Sequence, residues 1–209
     1  MKQIINQKII LVISLICLLF SSCKKEENTD GVSTDDPFID TLSVNQTFSY
    51  SGLINAQAER TIQIFGKDIT VKLNNASDKK YVRIKAEDDD ENLIYFQKID
   101  ELQVNGTTVE FLPMIPFGNY IEIISSSWIY EDEYFDEGYV FYNDKSPFPG
   151  ESFGINGKDD QYMAFRIPMN GAFNYGWLKI NLSADANILV IKEAAICRAA
   201  NVKIKTGAK

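Results

Sequence analysis

Tyr175-Gly176-Trp177-Leu178-Lys179-Ile180-Asn181-Leu182 alternates in side-chain character at a period of two, which is the signature of a half-buried strand. In an extended chain Tyr175 and Trp177 face one side, and Gly176 leaves room for a neighbour on the other. Two large rings side by side form either a sugar-stacking platform or part of a core in which each buries ~150–250 Å². We take the core reading. The same period recurs in Thr61-Ile62-Gln63-Ile64-Phe65, Asp68 to Leu73, Tyr81 to Ala86 and Asn119 to Ile123. Turn-formers separate the runs: Phe65-Gly66-Lys67, Asn74-Asn75, Asn105-Gly106, Pro113 to Pro116, Asn156-Gly157 and Asn170-Gly171. Asn105-Gly106, between Leu102-Gln103-Val104 and Val109-Glu110-Phe111, is a two-residue hairpin signal. The expectation is about ten to twelve short strands and no amphipathic helix. Closely spaced strands with one apolar face predict an all-β, antiparallel two-sheet β-sandwich, jelly-roll-like, spanning 45–209.

Composition narrows the chemistry. The 209 residues suffice for one domain of ordinary size. Lys and Arg number 21 against 29 Asp and Glu, a net charge of -8, which argues against nucleic acid as a partner. Histidine is absent, and with it the Ser-His-Asp triad, the Cys-His dyad and His-ligated metal sites. Carboxylate, lysine and tyrosine chemistry remain. We expect no catalytic residues, no metal and no cofactor.

The amino terminus reads as an address. Lys2 and Lys8 precede an apolar run from Ile9 to Phe20 broken by Ser14, too short at ~1.5 Å per residue to cross a bilayer of ~30 Å. It fits the h-region of a signal peptide covering 1–22, followed by Ser21 and Ser22. Leu18-Leu19-Phe20-Ser21-Ser22-Cys23 resembles the lipobox of bacterial lipoproteins of the Bacteroidetes type. The resemblance implies cleavage before Cys23, a thioether-linked diacylglycerol there and a further acyl chain of the palmitate kind. Two or more chains anchor a protein stably. The membrane, through Cys23, is then a partner, and the outer membrane, with exposure at the cell surface, is the expected location. Lys24-Lys25-Glu26-Glu27 resembles an export signal to the outer face in such lipoproteins; it also reads as the solvated start of a linker. Residues 23–44 are polar enough to predict a flexible tether. Asp40-Thr41-Leu42 resembles a short O-glycosylation acceptor motif of the same group, a triplet that also arises by chance. With Cys17 in the leader and Cys23 lipidated, Cys197 has no partner for a disulfide and reads as a buried thiol.

The tail contains Asp160-Gln161-Tyr162-Met163-Ala164-Phe165-Arg166-Ile167, then Asn174-Tyr175-Gly176-Trp177-Leu178-Lys179-Ile180. Ile188-Leu189-Val190-Ile191-Lys192-Glu193-Ala194-Ala195 and Val202-Lys203-Ile204-Lys205-Thr206-Gly207 follow. This order resembles a YGW-containing C-terminal β-domain of bacterial surface and secreted proteins whose function is unknown. It implies strands and no activity.

One segment stands out as a candidate site. Trp128, Tyr130, Tyr134, Phe135, Tyr139, Phe141 and Tyr142 are interleaved with Glu131, Asp132, Glu133, Asp136, Glu137 and Asp144. Rings stack on sugar C–H faces and carboxylates accept hydroxyl hydrogen bonds, so Trp128, Tyr130, Glu131, Tyr134 and Asp136 are candidate ligand-binding residues for a glycan. The competing reading is a long acidic excursion whose rings pack on the sandwich. Glycoside hydrolysis needs two carboxylates about 5–5.5 or 6.5–9.5 Å apart. The run Glu131 to Glu137 lacks the alternating pattern of jelly-roll glucanases. Glu87-Asp88-Asp89-Asp90-Glu91 has no calcium-loop spacing and reads as a solvated hairpin tip. The expected function is thus a membrane-anchored, non-catalytic surface binding or accessory module with a glycan or a surface protein as partner. The alternatives are a structural, partner-docking lipoprotein and a carboxylate-based glycoside hydrolase.

Overall fold

The computed structural model describes residues 38–51, 53–86, 94–97, 101–104, 106–121, 137–145, 152–155 and 157–209. Twelve strands occur among them: β1 (Ile39–Ser49), β2 (Ala56–Ile64), β3 (Lys67–Asn75), β4 (Lys79–Ala86), β5 (Tyr95–Phe96) and β6 (Glu101–Val104). They continue as β7 (Thr107–Glu110), β8 (Glu137–Asp144), β9 (Ser152–Gly154), β10 (Lys158–Met169), β11 (Ala172–Leu182) and β12 (Ile188–Cys197). One sheet has the order β1-β12-β11-β10-β5 and the other β2-β3-β4-β8-β9, while β6 and β7 form a separate hairpin. Strands in each sheet pair antiparallel. Neighbours within a sheet are mostly consecutive in sequence, and the chain changes sheets between β1 and β2, β4 and β5, β5 and β8, and β9 and β10. The protein is an all-β sandwich, as its periodicity predicts.

The core lies between the sheets. Ile64, Ile69, Val71, Leu73, Val82 and Ile84 meet Phe165, Leu178, Ile180, Leu189 and Ile191 in one cluster, every one of them fully buried. The sheet containing β10 to β12 is covered on its other face as well. Tyr162, Ala164, Tyr175, Trp177, Ala195 and Cys197 form a second cluster with Ile121 and Ile204. The covering chain is held by Ile115 N–H to Tyr162 O at 2.8 Å, Ile121 N–H to Ile204 O at 3.0 Å and Thr206 N–H to Asn119 O at 2.9 Å. A strand buried on both faces carries apolar residues consecutively, which explains Tyr162-Met163-Ala164-Phe165 and Ala194-Ala195-Ile196-Cys197. Trp177 is 0% and Tyr175 2% exposed, so these two rings are core, and Cys197 is a buried free thiol.

Two local expectations change. Strand β1 starts at Ile39, inside the stretch read as tether up to residue 44. An edge strand needs apolar side chains only where it meets a neighbour: Ile39 packs on the outer cluster, and Leu42 and Val44 on the inter-sheet core. Thr41 stands exposed on this edge, paired with Ala195. In the run Asn119 to Ile123, Tyr120 makes a single bridge to Lys205 and is 53% exposed; Glu122 and Ile123 lie outside the described residues. Strands β6 and β7 pair as the hairpin signal predicts, with Val104 opposite Thr107, Asn105 itself lying outside the described residues.

Candidate functional site

The strands assemble four connections at one end of the sandwich, opposite the end where β1 begins. Strand β1 leaves through Tyr50, and the turn reaching β2 closes with Ala56 N–H to Leu53 O at 3.1 Å, Asn55 adopting φ 67°. Asn75, the last residue of β3, organises this turn. Its carbonyl accepts Asn55 N–H at 2.6 Å, and its side-chain amide donates to Leu53 O at 3.0 Å.

Two ammonium groups tie the other connections in. Lys145, just past β8, donates to Asn75 Oδ1 at 2.5 Å and Ala76 O at 2.9 Å. Lys80, in β4, donates to Asn187 Oδ1 at 2.8 Å and to the Asp185 carbonyl oxygen. The Asp185 carboxylate accepts from Ser183 Oγ and Asn187 Nδ2, each at 2.6 Å. Those contacts hold it below the usual carboxylate range, the Ser183 hydroxyl contributing most. Burial lowers the Lys80 ammonium, and Lys145 adds to it by repulsion. The Lys80 ammonium lies 5.8 Å from the Tyr50 ring centroid. Burial, followed by the charge of Asp185, pushes the Tyr50 phenol up to about 12.

Out of this cross-tied frame project Leu53 and Ile54, 69% and 68% exposed, with Ile188 at 42% nearby in the fold as the partner of Ser49. Three exposed apolar side chains grouped at one end make this tip a candidate contact surface among the described residues. Sequence reading missed it because its parts lie at 50–55, 75–80, 145 and 183–188; only the register of β1, β3, β4, β8 and β12 brings them together.

Cys23, Trp128, Tyr130, Glu131, Tyr134 and Asp136 lie outside the described residues, as do the acidic residues 87–91. Three described rings of the same aromatic segment are packed. Phe141 enters the inter-sheet core. On the outer face Tyr142 is 7% exposed in a cluster with Tyr81, Val104 and Val109, against which Phe111, Tyr139 and Phe153 pack. Tyr139 makes edge contacts with Tyr142 at 5.4 Å and Tyr81 at 5.6 Å. Burial raises the phenols of Tyr139 and Tyr142. For these three rings packing, not a stacking platform, is observed. Among the described residues no three His, Cys, Asp or Glu side chains converge to hold a metal ion.

Comparison with protein families, with characterised proteins and with solved structures gives no match to this chain.

Proposed function

We propose that the chain is a lipid-anchored, non-catalytic lipoprotein of the bacterial outer membrane, whose sandwich acts as a binding or accessory module at the cell surface. The observation that carries this reading is the polarity of β1. It begins at Ile39, sixteen residues after Cys23, and delivers the chain at Ser49 to the end bearing Leu53 and Ile54. A strand of 11 residues spans about 35 Å. An anchor at Cys23 would then attach through a tether of at most ~55 Å to the end where β1 begins, with the apolar tip at the far end of that strand. A surface protein that covers Leu53 and Ile54 suits that tip best.

A glycan is the second reading. The interleaving of Trp128, Tyr130 and Tyr134 with Glu131 and Asp136 supports it, and the packed Tyr139, Phe141 and Tyr142 do not.

Membrane fractionation tests the anchor. Cys23→Ala releases the protein into the soluble fraction, whereas a variant that still pellets after a carbonate wash overturns it. Leu53→Asp with Ile54→Asp tests the tip: a photo-crosslinker at Ser51 gives a discrete adduct in intact cells that this double variant abolishes. On a glycan array, binding lost in Trp128→Ala and Tyr134→Ala would move the ligand to the aromatic segment.

A further inference from the structure

Among the described residues the two main sheets end in β1 and β5 on one side and in β2 and β9 on the other. An unpaired edge recruits other chains, and proteins blunt it by shortness, a bulge, proline or charge. Strand β5 has two residues and β9 three. Strand β1 breaks its register between Ser43 and Gln46, with Asn45 at φ 48°. Strand β2 has none of these devices. Its 9 residues contain no proline and keep an unbroken register with β3, from Ala56 opposite Asn75 to Ile64 opposite Lys67. Its two charged side chains are engaged within the chain: Glu59 lies 2.8 Å from Lys72, and Arg60 donates to Gln46 Oε1 at 2.8 Å and stacks on the Phe48 ring.

Which main-chain groups face outward follows from the turn after β2. Phe65 and Gly66, at φ 50° and 74°, form a two-residue connection with both residues left-handed. Ile64 and Lys67 therefore exchange the first pair of hydrogen bonds, and every second residue of β2 back from Ile64 bonds to β3. The alternate set, Gln57, Glu59, Thr61 and Gln63, aims its N–H and C=O groups away from β3, and all four residues are exposed. The Thr61 and Thr70 hydroxyls meet at 2.6 Å, as side chains do at the closer, non-hydrogen-bonded pairs. Among the described residues no hydrogen bond reaches these outward groups. Beside the edge runs a groove of about 390 Å³ between β2 and β1, with Leu42, Val44 and Ile62 half-buried along it.

We propose that a second copy of this chain occupies the edge, β2 pairing antiparallel with β2 of that copy about a two-fold axis at Thr61. Symmetry selects the register. An axis perpendicular to the sheet passes through a residue of β2, because the outer face of one copy continues the outer face of the other. At Glu59 it would set two carboxylates directly opposite, and at Arg60 two guanidinium groups, both unfavourable. Nearer either end of β2 it would pair fewer of the outward groups. At Thr61 the two threonines face each other, Glu59 faces Gln63 on both sides of the axis, and Arg60 faces Ile62. No like charges are then opposed, the Gln63 amide is placed to donate to the Glu59 carboxylate, and the outward groups of Glu59, Thr61 and Gln63 meet their counterparts. The Leu42–Val44–Ile62 grooves of the two copies come together on either side of the axis. The axis turns the second copy end for end; a tether of up to ~55 Å exceeds the ~35 Å of β1, so two copies anchored at Cys23 reach one membrane. The proposal rests on neither the anchor nor the Leu53–Ile54 tip.

Disulfide trapping of the full chain in intact cells tests it. Across the axis the two residues 61 form a hydrogen-bonded pair with Cα atoms about 5.5 Å apart, inside the ~4.4–6.8 Å that a disulfide spans. Thr61→Cys therefore gives a covalent dimer on mild oxidation. Glu59→Cys and Gln63→Cys each give none alone, since each lies more than about 13 Å along the strand from its own counterpart. Carried on two differently tagged copies, those two cysteines link to one another. Thr61→Lys, which sets like charges directly opposite, lowers the link between Glu59→Cys and Gln63→Cys about five-fold. Combining a Thr61→Lys copy with a Thr61→Glu copy restores it, which a folding defect would not allow. No link in Thr61→Cys, equal links at all three positions, no recovery in the Lys and Glu combination, or linkage to another protein in place of a second copy overturns the proposal.

Discussion

The ring of Phe165 occupies the space that a side chain at position 176 would need. The two residues are direct partners across β10 and β11. A Cβ built on Gly176 falls inside van der Waals contact with Phe165 Cζ and with the Ala195 carbonyl oxygen. The same ring lies 6.2 Å from Phe65, in the turn that joins β2 and β3 of the facing sheet, so the missing side chain leaves Phe165 room to reach that turn.

Gly176→Ala should therefore destabilise the fold by about 1–3 kcal/mol, the usual cost of overpacking a core. Urea unfolding measures it. In the double variant with Phe165→Leu the loss should be smaller than the sum of the single losses, because the neighbour that obstructs the new methyl is trimmed.

Lys145→Met keeps the apolar stem and removes the donor to Asn75 Oδ1 and Ala76 O. The expected cost is about 1–3 kcal/mol, that of taking a charged partner from hydrogen-bonded acceptors. Amide exchange at Asn55 and Ala56 should speed up more than at Val71 or Ile180, since the turn bearing Leu53 is held through Asn75.

Alkaline stability should depend on Tyr50. Its phenol is raised from 10.0 to about 12 in the fold, so its contribution is fully present below pH 10 and is lost as pH rises through about 12. Tyr139 and Tyr142, also raised, act in the same direction. Among the described residues the Tyr50 hydroxyl is buried without a hydrogen-bond partner. Tyr50→Phe should then leave stability at pH 7 unchanged or slightly higher and flatten the alkaline decline of the denaturation midpoint.

Acid behaviour should involve Asp160. Hydrogen bonds from Lys192 and then Lys179, at 2.9 and 3.0 Å, hold its carboxylate below the usual value. Its contribution is present above the ordinary carboxylate range and lost as pH falls through the lowered value. The carboxylate is 51% exposed, so Asp160→Asn should cost less than about 1 kcal/mol near neutrality. Asn tolerates the φ of 52° that Asp160 adopts at the β10 bulge. Melting temperatures of parent and variant should converge between pH 4 and pH 2, about where carboxylates titrate.

Legibility in the sequence followed burial. Strands β3 and β4 and the end of β2 from Thr61 to Ile64 are readable because apolar and polar side chains alternate along them, whereas Ala56 to Arg60 carries no strongly apolar side chain. Asn170-Gly171, at φ 52° and 77°, adopts the backbone its letters announce between β10 and β11. The start of β1 was hidden because Asp40 and Thr41 sit on an exposed edge and carry no apolar signal. The second apolar layer over Trp177 was hidden because the run around Ile121 alternates like any strand and nothing in it or around Ile204 shows that the two lie over Trp177. The lysine-tied end is a product of register alone: Lys80 and Asn187 are 107 residues apart in sequence, and no local pattern links them.

The placement of β1 also decides how the protein bears load. The strand lies at a sheet edge, bonded along its length to β12 from Ile39 opposite Cys197 to Ser49 opposite Ile188. A pull on the chain at Ile39, resisted at the opposite end through Ile188 where β12 begins, runs along the strand axis and passes through the ladder. The β1–β12 hydrogen bonds are then strained together, as a lap joint is, and not opened one after another like a zip. Rupture has to break the whole ladder in one event, so resistance to tension is set by the rate of that step and not by equilibrium stability.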